Sequence, residues 1–283
     1  MGVIHEPNPT AARRELALYF RNVREQRKRG LDELAEYLAV SEAQASRLDK
    51  GARGLRPGDV RRLATWYELP DTERDRLLAL ATESRKRGWW QQVDLGESYR
   101  TLIGMEQAAD TINEYCHSVI PGLLQTRDYA RAAAAGSAPD LSPEQIKMAV
   151  DVRMRRQQVL KREQAPRLSV VIDEAALART TGGPAVMREQ LEHLISATVR
   201  PGITVQIIDF EYGTHPGDSH FILVRTGGVL PNLVYLEALG RADSTSESDI
   251  ARYRRVWEHL TALALSPRES RDRIERYVKR LAP

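Results

Sequence analysis

Residues Gly30–Gly51, GLDELAEYLAVSEAQASRLDKG, decide the fold of the first part of this chain. The spacing puts Leu34, Ala35 and Leu38 on one face of a short helix, Ala39-Val40 at a turn, and Ser41 where a helix N-cap belongs. Ala45 and Leu48, three apart, form the inner face of a second short helix, which Gly51 closes. Two helices meeting at so tight a turn have the layout in which the second helix enters a DNA major groove. Glu42, Ala43, Gln44, Ser46, Arg47 and Lys50 are left on its outer face. Arg47 suits guanine O6 and N7, Gln44 suits adenine or the backbone, Glu42 suits cytosine N4, and Ala43 suits a thymine methyl. Ser41 caps the helix and sits where such N-termini meet a phosphate. Lys50, Arg53 and Arg56 are expected on phosphates, with Arg56 near the minor groove. The competing interpretation is an αα-hairpin of an unrelated bundle, with a solvated charged face.

The flanking sequence favours the first interpretation. Residues 1–10, with two prolines and no periodicity, suggest a flexible leader. Leu16, Phe20 and Val23 recur at helical spacing from Ala11 to Arg29. After a Gly/Arg loop, Pro57 suits the first turn of a fourth helix carrying Val60, Leu63, Ala64 and Tyr67. Pro70-Asp71 opens a fifth with Leu77, Leu78 and Leu80. The expected organisation is an all-α five-helix domain over 11–82, a junction over 83–89, and a second domain over 90–283.

Charge follows this division. Net charge is +3 for 283 residues, but residues 1–88 hold 18 basic and 14 acidic side chains, a net of +4. Residues 11–62 hold 13 basic against 8 acidic, a net of +5. The basic excess lies where a phosphate backbone needs it. A single cysteine, Cys116, rules out a disulfide or a Cys-based zinc site within one chain; it is expected in a helical, partly apolar stretch, buried rather than nucleophilic. The lack of an 18-residue apolar run and of a secretion signal predicts a cytoplasmic protein with no membrane partner.

Past the junction, helical patterns dominate 97–163, with a turn at Pro121-Gly122, a break at 136–139 and a helix start at Ser142-Pro143-Glu144. Strands are predicted at 168–173, 203–210, 220–225 and 233–237. Helices are predicted at 184–199, 246–265 and 267–281. The second domain therefore reads as mixed α+β.

Through LDELAEYL (31–38), VS (40–41), SRLDKG (46–51) and RRLATWYEL (61–69), residues 11–80 resemble the lambda- and 434-repressor-like, or XRE, helix-turn-helix family. The resemblance implies a five-helix bundle that binds operator DNA as a dimer. Ala39 stands where the family often has glycine, and Leu31 where it often has a phosphate-contacting glutamine, so no DNA contact is carried to Leu31. VIPGLLQT (119–126), DYARA (128–132), RMRRQQVL (153–160), VIDEAAL (171–177), REQLEHL (188–194), VYLEA (234–238) and ALSPRESRDRIE (264–275) resemble the C-terminal domain of unknown function of many actinobacterial helix-turn-helix regulators. That family is often described as antitoxin-like. The resemblance implies transcriptional regulation but supplies neither ligand nor catalytic residue.

Several second-domain residues admit more than one role. Asp173-Glu174 and Glu237 end strands and suit an acid/base or metal site, or else a helix cap with a first-turn carboxylate. His215, Asp218 and His220 have zinc-ligand spacing inside a Gly/Pro loop. Arg153, Arg155 and Arg156 suit an anion or acidic partner, or a solvated helix with internal carboxylate pairs. Trp89, Trp90 and Tyr99 suit a pocket or a packed junction, and Leu123-Leu124 suit the core. No P-loop, dinucleotide glycine fingerprint or nucleophile elbow occurs. The chain is expected to be a non-enzymatic DNA-binding regulator without cofactor or metal. Its expected partners are double-stranded DNA carrying an inverted repeat and a second copy of itself. The second domain would dimerise, and would sense a small molecule or bind a small protein. The alternative is an antitoxin-like protein that binds a small partner and autoregulates through DNA.

Overall fold

A computed structural model describes residues 8–227, 230, 232–237, 242–244 and 246–281. The chain divides into two compact units, the first mainly residues up to Ala108 and the second mainly residues from Ala109 on, with 226–231 grouped with the first.

The first unit is all helix: α1 (Pro9–Gln26), α2 (Leu31–Leu38), α3 (Glu42–Asp49), α4 (Pro57–Trp66), α5 (Asp71–Glu83) and α6 (Glu97–Glu106), with a 3-10 turn at Trp89–Gln92. Each apolar stripe turns inward, so Leu16, Phe20, Leu34, Ala35, Leu38, Ala45, Leu48, Val60, Leu63, Tyr67 and Leu77 form one buried core. α1 begins earlier than the sequence pattern indicated. Asn8 caps it, its Oδ1 accepting from Ala11 N–H at 3.1 Å, and Pro9 fills the first turn. Pro9 and Thr10 are therefore buried helix rather than leader, and an Asn-Pro pair is a local signal for such a start. The rest of the expected leader, 1–7, lies outside the described residues.

Trp89, Trp90 and Tyr99 are buried within this unit, which extends beyond the expected boundary near residue 82. Trp90 Nε1 donates to Thr10 Oγ1 at 3.3 Å, and its ring meets Trp89 edge-on at 5.8 Å. The two tryptophans are core, not pocket walls.

The second unit carries a six-stranded sheet in the order β3-β2-β1-β4-β5-β6: β1 (Ala109–Cys116), β2 (Arg167–Asp173), β3 (Ile203–Ile208), β4 (His220–Thr226), β5 (Leu233–Glu237) and β6 (Ala242–Ser244). β1, β2 and β3 are parallel, and β4–β5–β6 are antiparallel. The helices are α7 (Arg127–Ser137), α8 (Pro143–Arg156), α9 (Glu174–Ala178), α10 (Pro184–Thr198), α11 (Glu247–Leu263) and α12 (Pro267–Arg280). α10 and α12 pack on each other and on β3, and α11 packs on β3 and β5. A mixed α+β domain is thus the architecture. β1 corrects the expectation that helical segments dominate 97–163, and puts Cys116, expected in a helical stretch, at the buried end of a strand. The predicted strand at 203–210 stops at Ile208, and Phe210–Tyr212 form a 3-10 turn. No helix among the described residues is long and apolar enough to cross a membrane.

The turn after β1 is held by glutamines. Gln125 Nε2 donates to Ile120 O at 2.7 Å, Gln190 Nε2 to Leu124 O at 2.8 Å, and Gln157 Nε2 to Gly122 O at 3.0 Å. Gln190 Oε1 also accepts from Thr126 N–H at 2.7 Å. These bonds occupy backbone groups that the turn leaves unpaired, and they let Leu123 and Leu124 enter the core.

Gly104 permits the closest approach of α6 to α1. A Cβ there would stand 2.4 Å from Thr10 Cβ. Alanine favours helix by about 1 kcal/mol over glycine, but overpacking costs about 1–3 kcal/mol. Gly104→Ala should therefore lower the urea midpoint of the full chain; a raised midpoint would mean that α1 and α6 can move apart freely.

Candidate nucleic-acid interface

The helix-turn-helix is built by caps and one left-handed residue. Glu33 Oε2 accepts from Gly30 N–H at 3.2 Å at the start of α2, and Ser41 Oγ accepts from Gln44 N–H at 3.3 Å at the start of α3. Between them Ala39 has φ 54° and ψ 49°, the conformation that glycine would supply more cheaply. Ala39 N–H bonds Glu36 O and Val40 N–H bonds Ala35 O, both at 3.0 Å, so the turn satisfies its backbone despite the alanine. Gly51, at φ 69°, closes α3, and a Cβ there would approach Ala17 Cβ to 3.2 Å.

The faces divide as the spacing requires. Ala45 and Leu48 are buried; Ser41, Glu42, Ala43, Arg47 and Lys50 are exposed, and Gln44 is half-buried. Arg53, after α3, and Arg56, before α4, are also exposed. Arg56 N–H donates to Asp59 Oδ2 at 3.2 Å, which leaves its guanidinium out of the cap. Leu31 packs partly against the core.

Sequence reasoning missed what fixes α3. Arg24 of α1 grips Asp49 with two parallel bonds, Nε to Oδ1 at 2.9 Å and Nη2 to Oδ2 at 3.1 Å. Arg21 Nη2 adds a bond to Asp49 O at 2.9 Å. The Arg24 and Asp49 side chains are 11% and 9% exposed. α2 is braced separately. Arg29 lies 4.4 Å over Trp66, Trp66 stacks on Tyr37 at 4.4 Å and 5°, and Arg62 lies 5.1 Å over Tyr37. Arg62 also donates to Tyr37 O. Neither brace has a local signal, because its members sit 25 or more residues apart.

The second-domain candidates separate into distinct networks. Asp173 caps α9, Oδ1 accepting from Ala175 N–H at 2.7 Å, while Oδ2 meets His215 Nε2 at 3.0 Å. Glu174 is spent on Arg273 Nη1 at 2.8 and 2.9 Å, Tyr277 OH at 2.9 Å and Phe210 N–H at 2.9 Å. Burial pushes its pKa up, but these donors and the Arg273 charge outweigh that and leave it lowered. The cap and ion-pair roles therefore replace the carboxylate trio. His215, Asp218 and His220 do not converge: Asp218 accepts from Ser219, and His220 Nε2 meets Glu114 Oε1 at 2.9 Å. No group of three His, Cys, Asp or Glu among the described residues can hold a metal ion. Arg153 donates to Gln125 Oε1 at 2.7 Å, Arg156 is buried and Arg155 is exposed.

His220 sits between two carboxylates, Glu114 and Glu237, the latter 3.6 Å from Nδ1. Burial, the largest single influence, opposes its proton, and so does the Arg156 charge; the Glu114 hydrogen bond and the Glu114 and Glu237 charges raise the pKa above 6.5 overall. The imidazolium's stabilisation is thus complete below pH 6.5 and lost as pH rises through the raised value. Melting temperatures of wild type and His220→Gln should differ most below pH 6.5 and draw together as pH rises through the raised value; a constant gap across that window would assign His220 a pH-independent packing role. Removing the lone partner of a buried charge costs about 3–5 kcal/mol, but Arg21 Nε stays 3.3 Å from Asp49 Oδ2, so Arg24→Gln should lower unfolding free energy by less, about 1–3 kcal/mol. A loss under about 1 kcal/mol would show the Arg24–Asp49 pair to be effectively solvated.

A helix-turn-helix domain model matches residues 15–77. The model of a domain of unknown function, DUF5753, matches residues 99–276, more than half of the chain. No curated protein and no solved structure matches. The chain belongs to the DUF5753 family and carries an N-terminal helix-turn-helix domain.

Proposed function

We propose that this protein is a sequence-specific DNA-binding transcriptional regulator that works as a homodimer on an inverted repeat. The observation that carries this is the outer face of α3. Arg47, Glu42 and Ala43 stand exposed on a helix whose inner side is buried and whose end is gripped by Arg24. A rigid helix presenting donors, acceptors and a methyl group is what major-groove reading uses. Lys50, Arg53 and Arg56 supply cations beside it for phosphates. One eight-residue helix reaches few base edges, and two-fold pairing doubles them. The sheet domain then serves dimerisation and response to a small molecule, by favouring one spacing of the two recognition helices. A DNA partner places this activity where the chromosome is.

In vitro selection of genomic fragments on the full-length protein tests the proposal, with Arg47→Ala as control. An enriched inverted repeat that the variant loses is the expected result; enrichment equal to the variant's overturns it. On the selected site Arg47→Ala should cost about 1–3 kcal/mol and blur one base pair. Lys50→Ala should weaken all sequences alike and reduce the salt slope by about one. Sequence-dependent losses for Lys50→Ala would mean that α3 lies in the groove with a different rotation.

A further inference from the structure

Four large hydrophobic side chains are exposed among the described residues, and two of them share one turn. Phe210 is 60% and Tyr212 44% exposed in the 3-10 turn that follows β3. Among the described residues neither ring pairs with another ring, and Tyr212 OH makes no hydrogen bond. Single exposed apolar residues are ordinary, but aromatic rings left together on a surface mark a place that another molecule covers.

The turn is held more firmly than an exposed loop requires. Asp209 Oδ2 accepts from Arg273 Nη2 at 3.2 Å, Phe210 N–H donates to Glu174 Oε2 at 2.9 Å, and Tyr212 N–H donates to Asp209 O at 3.2 Å. Glu174, 5% exposed, also accepts from Arg273 Nη1 and Tyr277 OH, so α12 and the β2–α9 corner clamp the turn together. The clamp fixes the backbone from which both rings leave. Side chains on a fixed backbone lose less entropy when a partner covers them. Well-seated aromatic anchors carry most of the binding energy of an interface.

The charges beside the rings are of both signs. Glu211, between them, is exposed. Arg276 and Arg280 are exposed as well, and their spacing of three and seven from Arg273 puts them on the side of α12 that grips the turn. A partner carrying one sign of charge would be repelled by part of this rim. A second copy brings the same acid and the same arginines, and a two-fold axis sets Glu211 of each copy against Arg276 of the other. Two partly exposed rings fall short of the roughly 800 Å² per partner of a stable interface, so they form its centre and the charged residues its rim.

We propose that the Phe210–Tyr212 turn and the adjoining face of α12 form a two-fold interface with a second copy of this chain. The inference rests on the homodimer reading above and names the surface that makes it.

Sedimentation velocity of the full-length protein without DNA, over a concentration series, tests it. The wild type should sediment at twice the 32.0 kDa chain mass at micromolar concentration. Phe210→Ser and Tyr212→Ser should each raise the dimer dissociation constant about thirtyfold or more, the fold-change of a lost hot spot. Val199→Ser, at a side chain 66% exposed ahead of the other end of β3, should leave the constant unchanged and controls for lost apolar surface. Far-UV circular dichroism checks that each variant folds. If a ring variant does not, the charges carry the test: Glu211→Arg and Arg276→Glu should each weaken self-association, and an equimolar mixture of the two should restore it. A dimer that survives in the folded ring variants, or that Val199→Ser weakens equally, overturns this interface and leaves the homodimer reading standing. A monomeric wild type overturns both and assigns the rings to a different protein.

Discussion

A carboxylate taken out of water must meet a cation or a set of N–H and O–H donors, and this constraint fastens the molecule together. Asp49 meets Arg24 and so ties the end of α3 to α1. Glu174 meets Arg273, Tyr277 and the Phe210 N–H, joining the β2–α9 corner to α12 and to the turn after β3. Glu114 meets His220 and ties β1 to β4. Each carboxylate sits where two elements distant in sequence must meet. Misplacing either element would strand a charge, so the ion pairs penalise wrong arrangements more than they add to the right one.

The helix-turn-helix was legible because its determinants are local. Ser41, the inward pair Ala45 and Leu48, and Gly51 lie within eleven residues, and each took the role its spacing implied. Asn8-Pro9 was an equally local signal, obscured by the prolines around it. β1 was not legible. ADTINEYC carries Asp110, Asn113 and Glu114, which oppose a buried-strand pattern. Glu114 becomes tolerable in the centre of a sheet only through His220, 106 residues away. Asp173 disclosed its capping role locally, whereas the partner of Glu174 lies on the last helix. Pairings of this kind have no period and no spacing, so a single sequence conceals them.

Ala39 shows which force sets the turn. A left-handed alanine costs about 1–2 kcal/mol, so local preference opposes the geometry that α2 and α3 require. The opposition is overcome because Leu34, Leu38, Ala45 and Leu48 reach one core only when the chain turns at this residue, and because the turn's N–H groups find carbonyls. The recognition helix is thus held by burial on its inner face, by the Ser41 cap at its start and by Arg24 at its end. Reading bases demands this rigidity, since a helix that rocks averages the difference between correct and incorrect edges.

In the sheet domain, two histidines five residues apart take different hydrogen-bonding roles from their partners. His215 Nδ1 accepts from Gly217 N–H at 3.2 Å, which leaves Nε2 facing Asp173 Oδ2 at 3.0 Å. His220 faces Glu114 with one nitrogen and Glu237 with the other, so both of its nitrogens act as donors when it carries charge. The first histidine, with Tyr115 OH bonded to Gly217 O at 3.0 Å, pins the 213–219 loop across the ends of β1 and β2. The second neutralises part of the carboxylate charge on β1 and β5 but satisfies only one oxygen of Glu114.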